Sequence, residues 1–219
     1  MQQEKNKREG VKRFTSVIDL FQKNNQINIL MTEAEAIEIT DEILSLYIRF
    51  GNQDYIGEPV SQVEHMCQCA QLAVNENYDD EVVLAAFFHD IGHLCEHIME
   101  MNQMDGFGIV DHEKIGADYL GSKGFSKKVT SLVASHVEAK RYLTFAHPQY
   151  FDMLSEASKK TLEFQGGRMS ETEAAGFEKD EWFPLYLALR GWDEKAKVED
   201  VPLPDLQYYR KMMIHHLTK

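Results

Sequence analysis

No stretch of the 219 residues approaches the roughly 20 consecutive apolar side chains that a bilayer-spanning helix needs, and the opening MQQEKNKREGVKRF lacks the apolar core of a secretory signal. A soluble, cytoplasmic protein with no membrane partner is expected. Cysteine is scarce: Cys67, Cys69 and Cys95 are too few for a disulfide framework, and their odd number fits a reducing compartment. Cys67 and Cys69 stand two apart, so they do not share a helix face and are expected to be small buried hydrophobes rather than metal ligands. Positive charge is in short supply too, with 23 Lys and Arg against 36 Asp and Glu and a formal net charge of −13. A polyanion would meet repulsion over most of such a surface, which excludes a general nucleic-acid binder but not a local basic pocket. Alternating strand patterns and internal repeats are also missing, and the expected fold class is all-α.

What is present is a series of helical segments with polar starts. Residues 1–30 carry clustered charge and the polar run QKNNQ without sustained periodicity, and are expected to be an N-terminal extension to a domain spanning 31–219. Thr32 and Glu35 have capping-box spacing for a helix running to Gly51. A second helix is expected from Pro59 through His65, with the proline in its first turn. Asp79 or Asp80 can cap the apolar run VVLAAFFHDIGHLCE, which carries His89 and Asp90. Further helices are expected after Asp111 (with His112), after Ser126 (with His136 and Lys140), from Ser155 to Phe164 or Gln165, after Ser170, through EWFPLYLALRGWDEKAKV (with Arg190 and Asp193), and from Pro204 to Leu217.

The chemistry sits in the histidines. His65, His89, His112 and His136 are separated by 24, 23 and 24 residues, and each interval matches one helix plus its connection. Antiparallel helices joined this way bring one side chain each to a common level in a bundle core, where helical proteins build metal sites. Asp90 adds a carboxylate with two oxygens and so is the natural bridge between two ions, while Asp193 arrives from a later helix. Adjacent residues diverge by about 100° on a helix, so His89 and Asp90 serve one site only if the helix ends or passes between the ions. Gly92 permits a close approach or a break there. A lone histidine, or a lone His-Asp dipeptide, signals little; the spaced set is what carries the reading. Asp193 could equally be a solvated residue beside Glu194 and Lys195. His97, His147, His215 and His216 lack this context and are expected at the surface or in packing.

The order H, HD, H, H, D formed by these residues resembles the HD-domain superfamily over roughly residues 50–200. Its members are mostly metal-dependent phosphohydrolases, while one branch uses two irons and dioxygen. The segments YIGEPVSQVEH, FFHDIGHL, SHVEAKRYL and LRGWDEKAKV are similar to those of the 2-amino-1-hydroxyethylphosphonate dioxygenases in that branch. The resemblance implies an HD-domain helical bundle with a buried dinuclear site, His65, His89, Asp90, His112, His136 and Asp193 being the ligands of a mixed-valent Fe(II)/Fe(III) pair. It further implies that Tyr55 and Glu58 form a lid pair at the metal. The reaction it implies is oxidative cleavage of a C–P bond by O2, giving phosphate and either glycine from the primary amine or glycine betaine from its N-trimethyl counterpart.

The remaining polar residues are compatible with that implication. Lys140 lies one turn beyond His136 and His93 one turn beyond His89, while Ser158, Thr161 and Gln165 share one helical face. Lysine, hydroxyls and an imidazole suit a phosphonate, which presents three acceptor oxygens and needs charge compensation; without the resemblance, the helical trio reads as an exposed polar face. Tyr55 with Phe107 or Tyr142 would offer aromatic surface to a quaternary ammonium. Arg190 would orient a ligand or pair with Asp193. The competing readings are a metal-dependent phosphohydrolase acting on a phosphate ester or nucleotide, and an idle metabolite-sensing module. The sequence sets no oligomeric state.

Overall fold

The computed structural model describes residues 31–55, 57–100, 102, 104 and 108–219; the expected extension at 1–30 and Phe107 lie outside them. Thr32–Lys219 pack as one unit. Among the described residues the chain forms helices α1 (Glu33–Phe50), α2 (Gln62–Asn75), α3 (Asp80–Phe88), α4 (Ile91–Cys95), α5 (His112–Ser122), α6 (Lys127–Ala146), α7 (Pro148–Met153), α8 (Glu156–Phe164), α9 (Glu171–Phe177), α10 (Phe183–Lys195) and α11 (Leu206–Leu217). Extended pairing is limited to isolated bridges such as that between Asp54 and Ser61, and the all-α expectation holds.

The helix starts follow from short polar side chains that accept from orphan backbone N–H groups. Thr32 and Ser170 form the expected capping boxes with Glu35 and Glu173. Asp79, Ser126 and Ser155 cap α3, α6 and α8 as expected. Three expectations are corrected. Pro59 lies before α2 rather than in its first turn, because Ser61 and Glu64 form a capping box of their own and start the helix at Gln62. Pro204 likewise precedes α11, which Asp205 caps. Asp111 precedes α5 but donates no cap: it sits in left-handed backbone (φ 56°), and its carboxylate pairs with Lys114 at 2.8 Å.

Helix α3 is buried at every residue from Val82 to Phe88, as a helix that is apolar all round must be. Phe87 is sandwiched between Tyr47 of α1 and Tyr209 of α11, with ring centroids 4.4 and 4.0 Å away. Each such pair adds about 0.5–1.5 kcal/mol beyond the area it buries. The Tyr47 hydroxyl also donates to the Phe87 carbonyl at 2.9 Å, which ties α1 to the end of α3. Helix α6 packs on α3, α5 and α10, while α10 also lies on α2.

The apolar run that holds the His-Asp doublet is not one helix. α3 stops at Phe88, Asp90 takes non-helical backbone (φ −104°, ψ 12°), and α4 resumes at Ile91. Gly92 is what the break requires: a Cβ there would lie 1.9 Å from the His112 carbonyl oxygen, so only glycine lets α4 and α5 come this close.

Candidate metal centre and its cavity

Helices α2, α5, α6 and α10 each deliver one group, and the break between α3 and α4 delivers two, to a common point. His65, His89, Asp90, His112, His136 and Asp193 are all buried and meet there. Each imidazole is anchored by the backbone: the Nδ1 atoms lie 2.8 Å from the Ala196 carbonyl (His65), 2.9 Å from Ala86 (His89), 3.2 Å from Ile109 (His112) and 2.8 Å from Val133 (His136). A carbonyl only accepts, so each Nδ1 carries a hydrogen, which leaves each Nε2 as the ring atom able to turn a lone pair inward to a metal.

Those lone pairs face each other in two couples. The Nε2 atoms of His65 and His89 are 3.0 Å apart, and those of His112 and His136 are 2.9 Å apart. Two lone pairs that close repel unless a cation satisfies both. Around an ion bonded at about 2.1 Å, ligands at right angles stand about 3.0 Å apart and tetrahedral ones about 3.4 Å. The observed spacings put both Nε2 atoms of each couple within reach of a single ion. Asp90 stands between the couples with one oxygen toward each: Oδ2 lies 3.6 and 3.4 Å from His65 and His89, and Oδ1 lies 3.3 Å from both His112 and His136. Asp193 Oδ1 is 3.3 Å from His65 Nε2, is buried, and has no hydrogen-bond partner. An orphaned carboxylate oxygen beside two inward lone pairs is what a metal-binding cage looks like without its ion. One group of donors able to hold a metal is thus His65, His89, Asp193 and Asp90 Oδ2; the other is His112, His136 and Asp90 Oδ1.

His93 also lies within ligand distance of Asp90 and His112. Its Nδ1, however, accepts from the Ile109 N–H at 3.3 Å, so its Nε2 carries a hydrogen and is a donor. The ring stacks on His112 with centroids 4.1 Å apart. Burial pushes the His93 imidazolium down to about 3, so the ring is neutral.

Burial alone would push the two carboxyls up, but the charges and donors around them outweigh it. The imidazoles of His89, His112 and His136 around it hold Asp90 well below the usual carboxylate range, and Arg190 with His65 does the same for Asp193. Arg190 pairs with Asp193 Oδ2, donates from Nε to the Tyr150 hydroxyl at 2.8 Å, and so fixes Asp193 with its other oxygen inward.

A cavity of about 140 Å³ opens on this cluster, and all seven expected substrate residues line it: Tyr55, Glu58, His93, Lys140, Ser158, Thr161 and Gln165. At about 30 Å³ per water in the liquid, that is room for four or five waters, or one small organic molecule. Lys140 is buried and donates to Thr161 at 2.9 Å across the gap between α6 and α8. Burial, helped by Arg190, lowers its ammonium to about 7. The Tyr55 ring stacks on His65 with centroids 4.1 Å apart; burial, and after it the nearby negative charge of Asp90 and Asp193, pushes that phenol well up. Tyr142 is not at the cavity. It packs against Phe177 and Phe183 in a separate cluster, and its hydroxyl donates to Glu178 at 2.7 Å. Glu58 does lie at the cavity, but its Oε1 is already held by Lys197 at 2.8 Å and Ser155 at 2.6 Å.

Cys67, Cys69 and Cys95 are buried and free, as expected. His97 stacks on Phe50 and His216 on Phe125, away from the cluster. Sequence reasoning missed Lys197 and Gln62, the second of which lines the cavity one turn before His65. Gln62 was legible as an i, i+3 neighbour of a ligand; Lys197 gave no such signal.

The HD domain family model matches residues 63–174, a span that holds His65, His89, Asp90, His112 and His136. The chain belongs to the HD-domain family. Three relatives of this HD protein align over most of both chains. An uncharacterised protein of Acanthamoeba polyphaga mimivirus is 42% identical over 84% of this chain and 84% of its own. The [1-hydroxy-2-(trimethylamino)ethyl]phosphonate dioxygenase (glycine-betaine-forming) of Leisingera caerulea is 38% identical over 83% of this chain and 91% of its own. The hydroxymethylphosphonate dioxygenase of Gimesia maris is 36% identical over 85% of this chain and 94% of its own. The HD domain here is thus similar to enzymes of one reaction class. Among the described residues, no helix is long and apolar enough to cross a membrane.

Proposed function

We propose that residues 31–219 form a di-iron oxygenase that cleaves the C–P bond of a small 1-hydroxyphosphonate with O2. The observation that carries this is the pairing of His65 with His89 and of His112 with His136 on opposite oxygens of one carboxylate, at the floor of a cavity of about 140 Å³ with Lys140 in its wall. The two relatives named as dioxygenases act on compounds that share a hydroxyl on the phosphorus-bearing carbon, and that shared fragment is what this site is built to receive. The imidazole and carboxylate donors would suit iron. Such a pair, held by the six residues named, supplies oxygen activation and the redox steps.

The chain's own groups then bind and orient the substrate. Lys140, with the hydroxyls of Ser158 and Thr161, meets the phosphonate oxygens, and the His93 Nε2–H donates to the same end. The phosphonate brings negative charge to a buried lysine poised near neutrality and so restores its proton. Tyr55, stacked on His65 and reaching Asp90, covers the metals until substrate enters, and the Glu58 contacts with Lys197 and Ser155 hold that cover in place. Gly57 supports the tight turn with φ +79°, against Ala157 of α8.

One O2 is consumed per phosphate released, with no external reductant, since the carbon gives up the four electrons that O2 accepts as it becomes a carboxylate, and one oxygen atom is added to each product. The test is phosphate release from iron-loaded protein with and without oxygen. Turnover in air alone is expected; equal release under anaerobic conditions, or with Mn(II) in place of iron, would instead establish hydrolysis.

A further inference from the structure

We propose that Gln62 is a specificity-determining residue: it selects a substrate whose carbon chain ends in an ammonium bearing N–H donors, over the N-trimethyl compound and the unsubstituted hydroxymethylphosphonate. The inference rests on the hydroxyphosphonate reading above. Gln62 is the first residue of α2, and its backbone N–H is fixed by the Gln53 carbonyl at 3.0 Å. Its side chain lines the cavity on the lid side, and its Oε1 is buried there without a hydrogen-bond partner.

A buried carbonyl left without a donor is costly, and native proteins keep few of them. One in the wall of a small cavity calls for a ligand that donates. The phosphonate end cannot serve, because its oxygens only accept. A primary ammonium carries three N–H groups and can satisfy the Gln62 carbonyl, whereas a trimethylammonium has none to give and leaves it unpaired.

Among the described residues, the cavity wall offers little of what a quaternary ammonium uses instead. Glu58, a carboxylate of that wall, has its charge balanced by Lys197 at 2.8 Å. Among the described residues, Tyr55 is the only Phe, Tyr or Trp side chain in the cavity wall, and one face of its ring is spent on His65. An aromatic cage needs more than one such face.

The test compares kcat and KM of the iron-loaded full chain for 2-amino-1-hydroxyethylphosphonate, its N-trimethyl analogue and hydroxymethylphosphonate, by phosphate release. The wild type is expected to favour the primary amine at least about tenfold in kcat/KM, the ratio that one unpaired buried acceptor can impose. Gln62→Leu should raise KM for that amine about tenfold, with kcat little changed and hydroxymethylphosphonate unaffected. Gln62→Glu keeps the acceptor while removing the amide donors, and should retain the amine as substrate. A wild type that prefers either competitor, a Gln62→Leu variant that loses all three substrates equally, or a Gln62→Glu variant that loses only the amine overturns the assignment. Those results leave the hydroxyphosphonate activity standing; no turnover of any of the three compounds overturns the activity and the selectivity together.

Discussion

Replacing Asp90 by asparagine is the sharpest test of the metal cage, because its two oxygens face different histidine couples at 3.3 to 3.6 Å. In the wild type each ion that binds only the folded chain adds RT ln(1 + [L]/Kd), about 2.7 kcal/mol at a hundredfold excess over Kd. Two ions add about 5 kcal/mol. For a chain of this size each kcal/mol moves Tm by about 2–4 °C, so loading with Fe(II) should raise Tm by about 10–20 °C. Asparagine offers a single oxygen, and its amide hydrogens then face one couple of lone pairs. Asp90→Asn should therefore bind at most one ion per chain and lose at least half of the thermal gain. The assay is anaerobic titration with Fe(II), followed by calorimetry and by elemental analysis of the desalted protein. Lys140→Met is the control: removing a nearby positive charge should leave the wild-type stoichiometry intact. Two ions bound to Asp90→Asn with the full rise in Tm would refute the bridging role, and no rise in the wild type would refute the cage itself.

Two more predictions follow from burial and close packing. Lys140 is charged only below about 7 when substrate is absent, and the resident cations lower that value further, so KM for a phosphonate should climb as pH rises through this range. Lys140→Arg, which keeps its charge, should flatten the climb; an unchanged pH profile would exclude Lys140 as the phosphonate contact. Because the unfolded chain holds this proton to a much higher pH than the fold does, the group's contribution to stability also increases upward from about pH 7. Gly92→Ala places a Cβ 1.9 Å from the His112 carbonyl, which should cost about 3 kcal/mol in denaturant unfolding and displace His112 enough to lower metal content. A neutral effect would mean that α4 and α5 can separate without loss.

Why the histidines were legible and the cavity wall was not is a matter of range. A helical bundle delivers one inward side chain per helix, so an interval of 23 or 24 residues between ligands is written directly in the chain. Caps are equally local, and Thr32, Asp79, Ser126 and Ser170 behave as their side chains dictate. Prolines misled at α2 and α11 because a serine or aspartate closer to the helix offers its N–H groups an acceptor, which proline cannot do. Tyr142 could have been set aside on geometry: two residues beyond Lys140, it points about 200° away round the same helix. The partnership of Glu58 with Lys197 is different in kind, since 139 residues separate the two and only the folded chain joins them.

The backbone anchoring of the four imidazoles has a consequence for traffic into the site. An imidazole that ligates a metal through Nε2 contributes no charge, so the proposed ligand set carries only the two negative charges of Asp90 and Asp193. A pair of divalent or trivalent ions there leaves the floor of the cavity positive, inside a protein whose formal net charge is −13. The outer surface turns anions away while the floor draws them in, and salt screens only the first of these over its Debye length of about 8–10 Å. Moderate ionic strength would then speed the arrival of a small phosphonate rather than slow it, the reverse of the usual steering of an anion to a basic protein.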